Sequence, residues 1–479
     1  MATKDISRNE IIYAAEGITY FRNLDNCIQD AMQAAQDINN GPSDPIIFGE
    51  LQGRLDACQL KLPPLYRENV FVPYINTLKQ LDKTEFDQIL LRDPNKEGIA
   101  CLMLDIAQAI LQHGEGYNKK TTDAYQEVVS DLYDGFLSAE DRRGIKPPDM
   151  GIIAPLVKWG NPEFGPYTWP ADATINFGIK SAIVNLPPAN AQHGIFAWAA
   201  LGHETAGHDI IHADTGLKNE LENCLSCALQ DANLVSMLPD YWASRVDETA
   251  SDVLGILNMG PASGIALIGY FRALNAADGG RPVLRNVGPD GDPHPADILR
   301  GYLAASVVRL LNFSKANDWA TAIEGETDKD LTAIELGSSN TVITPDEAKR
   351  TTDTVASCLV KTKMKCLDNH AFGEIQNWKD SDEKIVKEIR SILKISDPLP
   401  ELYDKEVYAA HVVAASVVEA LQGNTNVPMI FERMTSILKT LHDKNPSWGP
   451  LYVRHSGDIV PLRAYIQCEV WSECDQYGS

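Results

Sequence analysis

Two six-residue segments constrain this 479-residue chain more than anything else in it: His203-Glu204-Thr205-Ala206-Gly207-His208 and Asp247-Glu248-Thr249-Ala250-Ser251-Asp252. The first continues the apolar run FAWAALG, a helical pattern that opens near Gly194 and has Gly216 as its stop. The second lies on a helical pattern over 240–258 that ends at Gly260-Pro261. On a regular helix, residues five apart point about 140° away from each other, against about 40° for residues four apart. His203 and His208 therefore meet one ligand only if their helix widens locally, which a one-residue π-bulge does. Gly207, just before the second histidine, eases that distortion. The fold expected is mainly α with a minor β element, a multi-helix architecture with a metal site between two helices.

Two histidines and a distant glutamate are a usual ligand set for a catalytic zinc that keeps its fourth position open for water. His203, His208 and Glu248 are the candidate ligands for one Zn2+, and Glu204 stands where a general base for that water is needed. Asp247 and Asp252 are candidates to accept from the outer nitrogens of the two histidines, a contact that fixes the tautomer and raises ligand basicity. Their apolar neighbours Val246, Ala250, Val253, Leu254 and Leu257 bring these acids close to the interior, where a carboxylate needs a cation or a donor. The chemistry expected is hydrolysis of a short peptide or amide. The same three ligands can also hold iron(II) with positions open for oxygen, and His212 with Asp214 could extend the set to a second metal. A non-catalytic helical interaction protein with a structural metal is the third reading.

HExxGH followed by an acidic-Glu-x-x-small-acidic segment resembles the pattern of the dipeptidyl-peptidase III family of zinc peptidases. The likeness covers about 178–302, with Asp247 and Asp252 standing where the family has glutamate. It implies His203, His208 and Glu248 as ligands, Glu204 as the base, and Asp247 and Asp252 as their outer partners. The stretch from Gly178 to Leu186 resembles the family's substrate-binding strand, which implies substrate contacts from Asn185 and Asn190. Gly291-Asp-Pro-His294, opening a helix with Arg300, resembles the segment whose histidine steadies the transition state, so His294 joins the catalytic candidates and Arg300 the substrate-binding ones.

Around these segments the chain divides into a helical region over 1–150, a metal-binding catalytic region over 151–325 and a C-terminal helical region over 326–479. Helical periodicity is clearest over 23–38, 97–112 and 121–137, the run 181–186 reads as a strand, and another helix covers 219–237. Residues 276–296, rich in Gly, Pro and Asp, read as a long loop. The formal charge of -24 opposes phosphate backbones and anionic lipid, so neither nucleic acid nor a membrane is an expected partner. MATKDISRNE lacks a secretory pattern and the longest apolar stretch is interrupted by His411 and Glu419, so a cytoplasmic location is expected. Nine scattered cysteines fit reduced thiols better than a disulfide framework. Cys224 and Cys227, three apart on a helix, are explained by packing. The glycines at 279–280 and 288–291 do not follow a strand in the phosphate-binding pattern.

Overall fold

The computed structural model describes residues 21–39, 41–92, 98–137, 145–146, 148–150, 153–232, 234–394, 407–423, 425–448, 452–455 and 458–461. The chain is mainly helical with small sheets. Its first half supplies α1 (Leu24–Gln36), α2 (Phe48–Cys58), α3 (Ile99–Glu115) and α4 (Lys119–Leu137). A three-stranded sheet follows, built from β1 (Leu156–Trp159), β2 (Tyr167–Trp169) and β3 (Ile183–Leu186) in the order β1-β3-β2. β1 runs parallel to the central β3 and β2 antiparallel to it, with Thr168 opposite Val184. Among the described residues no helix is long and apolar enough to cross a membrane.

The site helix is α5 (Ile195–His203), continued by a π-helical segment (Glu204–Asp209) and α6 (Ile210–Ala213). All nine residues of α5 are buried. A helix apolar on every side has no surface to give to water and has to lie at the centre of the fold. α5 is packed between α8 (Val246–Met259) and α9 (Pro261–Ala277), with α10 (Asp297–Arg309) beyond them. Phe196, Leu201, Val253, Leu257, Ile268 and Leu303 fill the space among these helices, all at 0% exposure. One apolar cluster runs from Leu24 to Leu438, and a second joins α2 and α3 to β3 through Leu51, Leu55, Ile106, Ile110 and Ile183.

Several boundaries differ from the sequence patterns. The helix expected over 240–258 is two helices, Leu238–Ala243 and α8, which part at Ser244 and Arg245. Arg245 makes the break. Its guanidinium donates to the Tyr241 carbonyl at 3.0 Å, closing the first helix, while its own carbonyl accepts Thr249 N–H and starts the next. The helix expected over 219–237 is α7 (Leu217–Asp231). Residues 276–296 contain β4 (Val287–Gly288), which pairs with β5 (Ile334–Leu336) in a second sheet completed by β6 (Thr341–Ile343). The hairpin of β5 and β6 lies just beyond the expected boundary at 325.

Candidate metal centre

Close backbone contact sets the two site helices together. A Cβ placed on Gly207 would lie 2.3 Å from the Ser251 Cβ, and one placed on Gly202 would lie 3.1 Å from the Gly255 Cα. Partners of rising number on one helix meet partners of falling number on the other, so α5 with its π segment and α8 run antiparallel. The same register pairs His203 with Asp252 and His208 with Asp247. His203 Nδ1 stands 2.8 Å from Asp252 Oδ1, and His208 Nδ1 stands 3.1 Å from Asp247 Oδ1. The widened π segment brings the other two ring nitrogens to 3.1 Å from each other although five residues separate them.

Glu248 completes the group from the first turn of α8. Its Oε2 is 3.1 Å from His203 Nε2 and its Oε1 is 3.6 Å from His208 Nε2. These three residues could hold a metal ion, with ligand atoms all within 4.8 Å of one another. The donor chemistry fits one. A carboxylate against each Nδ1 keeps the ring hydrogen there, so both Nε2 lone pairs turn toward each other and toward a carboxylate. Glu248 Oε2 is buried and accepts no hydrogen bond despite its near neighbours. Lone pairs gathered this way repel unless a cation or protons lie among them. Burial pulls His203 downward, but Asp252 and Glu248 outweigh it and leave the imidazole at about 10 in the metal-free protein. Burial pushes Glu248 up, but the facing His208 and His203 prevail and hold it well below the usual carboxylate range.

The outer partners are themselves anchored. Arg300 grips Asp252 with two bonds, Nε to Oδ2 at 2.7 Å and Nη2 to Oδ1 at 2.8 Å, while its guanidinium lies 4.2 Å over the Phe271 ring. Breaking such a buried pair typically costs about 3–5 kcal/mol because the remaining charge is stranded. Asp247 Oδ2 accepts from Lys218 Nζ at 2.9 Å and faces His212 Nε2 at 3.0 Å, and His212 Nδ1 reaches Asp172 Oδ2 at 2.8 Å. A histidine between two carboxylates has both nitrogens engaged and none left for a metal. Asp214, the other residue of the proposed second metal pair, meets Lys146 Nζ at 2.9 Å instead. Among the described residues the His203–His208–Glu248 group is the one cluster with metal-ligand spacing.

The group opens on a cleft of about 800 Å³. Glu204, Thr168, Asn190, Tyr270, His294 and Arg300 are among its walls. Glu204 is not one of the three grouped residues and takes a hydrogen bond on Oε2 from the Thr168 hydroxyl at 2.9 Å. His294 is brought to the group's edge, Nε2 3.3 Å from Glu248 Oε2, with Nδ1 3.0 Å from Asp292 Oδ1. Asp292 is bridged to Arg285, which also reaches Asp297. Arg300 is spent on Asp252, so its substrate-binding role from the sequence becomes support of a ligand's partner. Asn190 faces the cleft, whereas Asn185 does not reach it. Asn185 is 0% exposed and its amide donates to the Tyr167 carbonyl at 3.2 Å. β3 is buried along its whole length, so both faces of the sheet are covered where Asn185 stands.

Sequence reading passed over Thr168, Asp172 and Lys218. For His212 a signal existed, since it follows His208 by one helical turn. Thr168 and Asp172 come from β2 and from the one-turn helix Ala171–Thr174, with nothing in the local sequence to mark them. No protein-family model, curated protein or solved structure matches the chain.

Proposed function

We propose that this protein is a zinc peptidase acting on short peptides, similar in its chemistry to dipeptidyl-peptidase III. The observation that carries the reading is the joint geometry of the cleft: three converging lone-pair donors, with a further carboxylate, Glu204, on its wall. Zinc bound there would supply a water with a pKa near 7 and polarise the scissile carbonyl. Glu204 would be the group that takes a proton from the attacking water and returns it to the leaving amine. Asp252 and Asp247 hold the ligating histidines to the tautomer that offers Nε2; outer partners of this kind are worth about ten- to a hundredfold in metal affinity. Asp292 holds one ring hydrogen of His294 at Nδ1, so it is the imidazolium form that would donate from Nε2 to the oxyanion. A reducing compartment, the cytoplasm, is the location we infer for this activity, a reading the odd count and scatter of the cysteines support.

Iron(II) would use the same three ligands. Zinc is preferred because an oxygenase gives no work to a carboxylate standing where Glu204 does. Glu204→Gln is isosteric and removes the basicity. The zinc-loaded variant is expected to keep its metal and to lose several hundredfold or more in turnover of short internally quenched peptides. A chelator is expected to silence the wild-type protein. Undiminished turnover in the Gln variant would end the hydrolytic reading.

A further inference from the structure

We infer that Thr168 is a positioning residue for the base, a role that rests on the hydrolytic reading of Glu204. Its Oγ1 lies 2.9 Å from Glu204 Oε2 and 3.1 Å from the Glu204 backbone oxygen. A carboxylate and a carbonyl oxygen can only accept, so the hydroxyl hydrogen must go to one of them. Thr168 does not drift. It sits in β2, locked to β3 in register, on a wall of the same cleft as the metal group. Glu204 is 7% exposed, so little water is at hand to hold its carboxylate in place of the hydroxyl. A base that moves a proton needs one oxygen free for it and a second that fixes the plane of the group. Thr168 serves the second oxygen. Its nearness to the Glu204 carbonyl also puts it against the π segment, where the helical hydrogen-bond ladder is displaced. One side chain from a strand therefore aims the base and braces the bulge on which the base sits.

The variants are compared as zinc-loaded full chains on short internally quenched peptides. T168V keeps the side chain's shape and removes the donor. It is expected to lower kcat about tenfold or more, the scale of a lost hydrogen bond to a charged group, with KM and bound zinc unchanged. T168S restores the hydroxyl and is expected to restore kcat. Wild-type kcat in T168V beside an inactive E204Q would overturn the role of Thr168 and leave the hydrolytic reading standing. Full turnover in E204Q, or no cleavage by the wild-type protein, would remove that reading and this role with it. Were T168V to lose zinc or melt early, the pair T168S and T168A decides. Active T168S beside T168A with lowered kcat and retained zinc upholds the role. Reduced kcat in T168S, full kcat in T168A, or loss of kcat in T168A only in step with lost zinc overturns it.

Discussion

At the scale of single residues, His294 bears the clearest separable role. Asp292 Oδ1 accepts both the His294 backbone N–H, at 2.9 Å, and faces its Nδ1 at 3.0 Å, so ring direction is fixed from the protein side. Nε2 is left toward Glu248 at the edge of the ligand group, on a side chain still 45% exposed. The imidazolium form would carry an Nε2 hydrogen at that place and act on charge that appears only in the transition state, worth roughly 3 kcal/mol. His294→Ala is therefore expected to lower kcat about a hundredfold with zinc content and KM nearly unchanged; unaltered kinetics would remove it from the catalytic set. His294, like the ligands, was legible because its neighbours in sequence carry a pattern. Thr168 was not, since its partner Glu204 is 36 residues away and a threonine in a three-residue strand looks like any other. Lys218 was hidden for the same reason: its meaning comes from Asp247, on another helix.

At the scale of elements, periodicity carried the long helices and spacing carried the π segment, because a five-residue gap between two ligands has a single helical solution. The break at Arg245 escaped, since it depends on a guanidinium reaching back to the Tyr241 carbonyl. So did the hairpin near 334–343, whose short strands gain their pairing from β4, far away in sequence. The C-terminal α11 (Val427–Asp443) packs against α4, with a consequence of its own. His113 of α3 and His442 of α11 stack on Trp448, with ring centroids 4.7 Å and 5.6 Å from it. Burial drives His113 down to about 3 and His442 to about 4, with His442 adding to it at His113 and Lys119 at both rings. Both rings stay neutral in the fold, while the unfolded chain takes protons near the ordinary value of 6.5. The stability they contribute is thus complete above pH 6.5 and falls as pH drops from there toward 4 and 3. Each ring is expected to cost on the order of 2 kcal/mol by about pH 5. Urea unfolding of His113→Phe against pH checks this: the variant's acid-side slope is expected to be shallower than that of the wild-type protein, and equal slopes would contradict it.

At the scale of the whole molecule, the arrangement is a buried apolar helix that delivers polar chemistry to one open face. α5 is enclosed by α8 and α9, and the close contacts at Gly202–Gly255 and Gly207–Ser251 leave no freedom in their register. The ligand atoms are therefore placed by backbone packing over the length of two helices, which is what a preformed metal site requires. That the motifs stand on two adjacent helices was readable from their patterns; which cluster of apolar residues would enclose them was not, because the main core draws on residues from Leu24 to Leu438. The most direct test of the central claim is elemental analysis of the purified full chain beside H203A, H208A and E248A, each equilibrated at micromolar free zinc. About one zinc per wild-type chain and almost none in each variant is expected. Full zinc occupancy in all three variants, or iron in place of zinc in the wild-type protein, would contradict it.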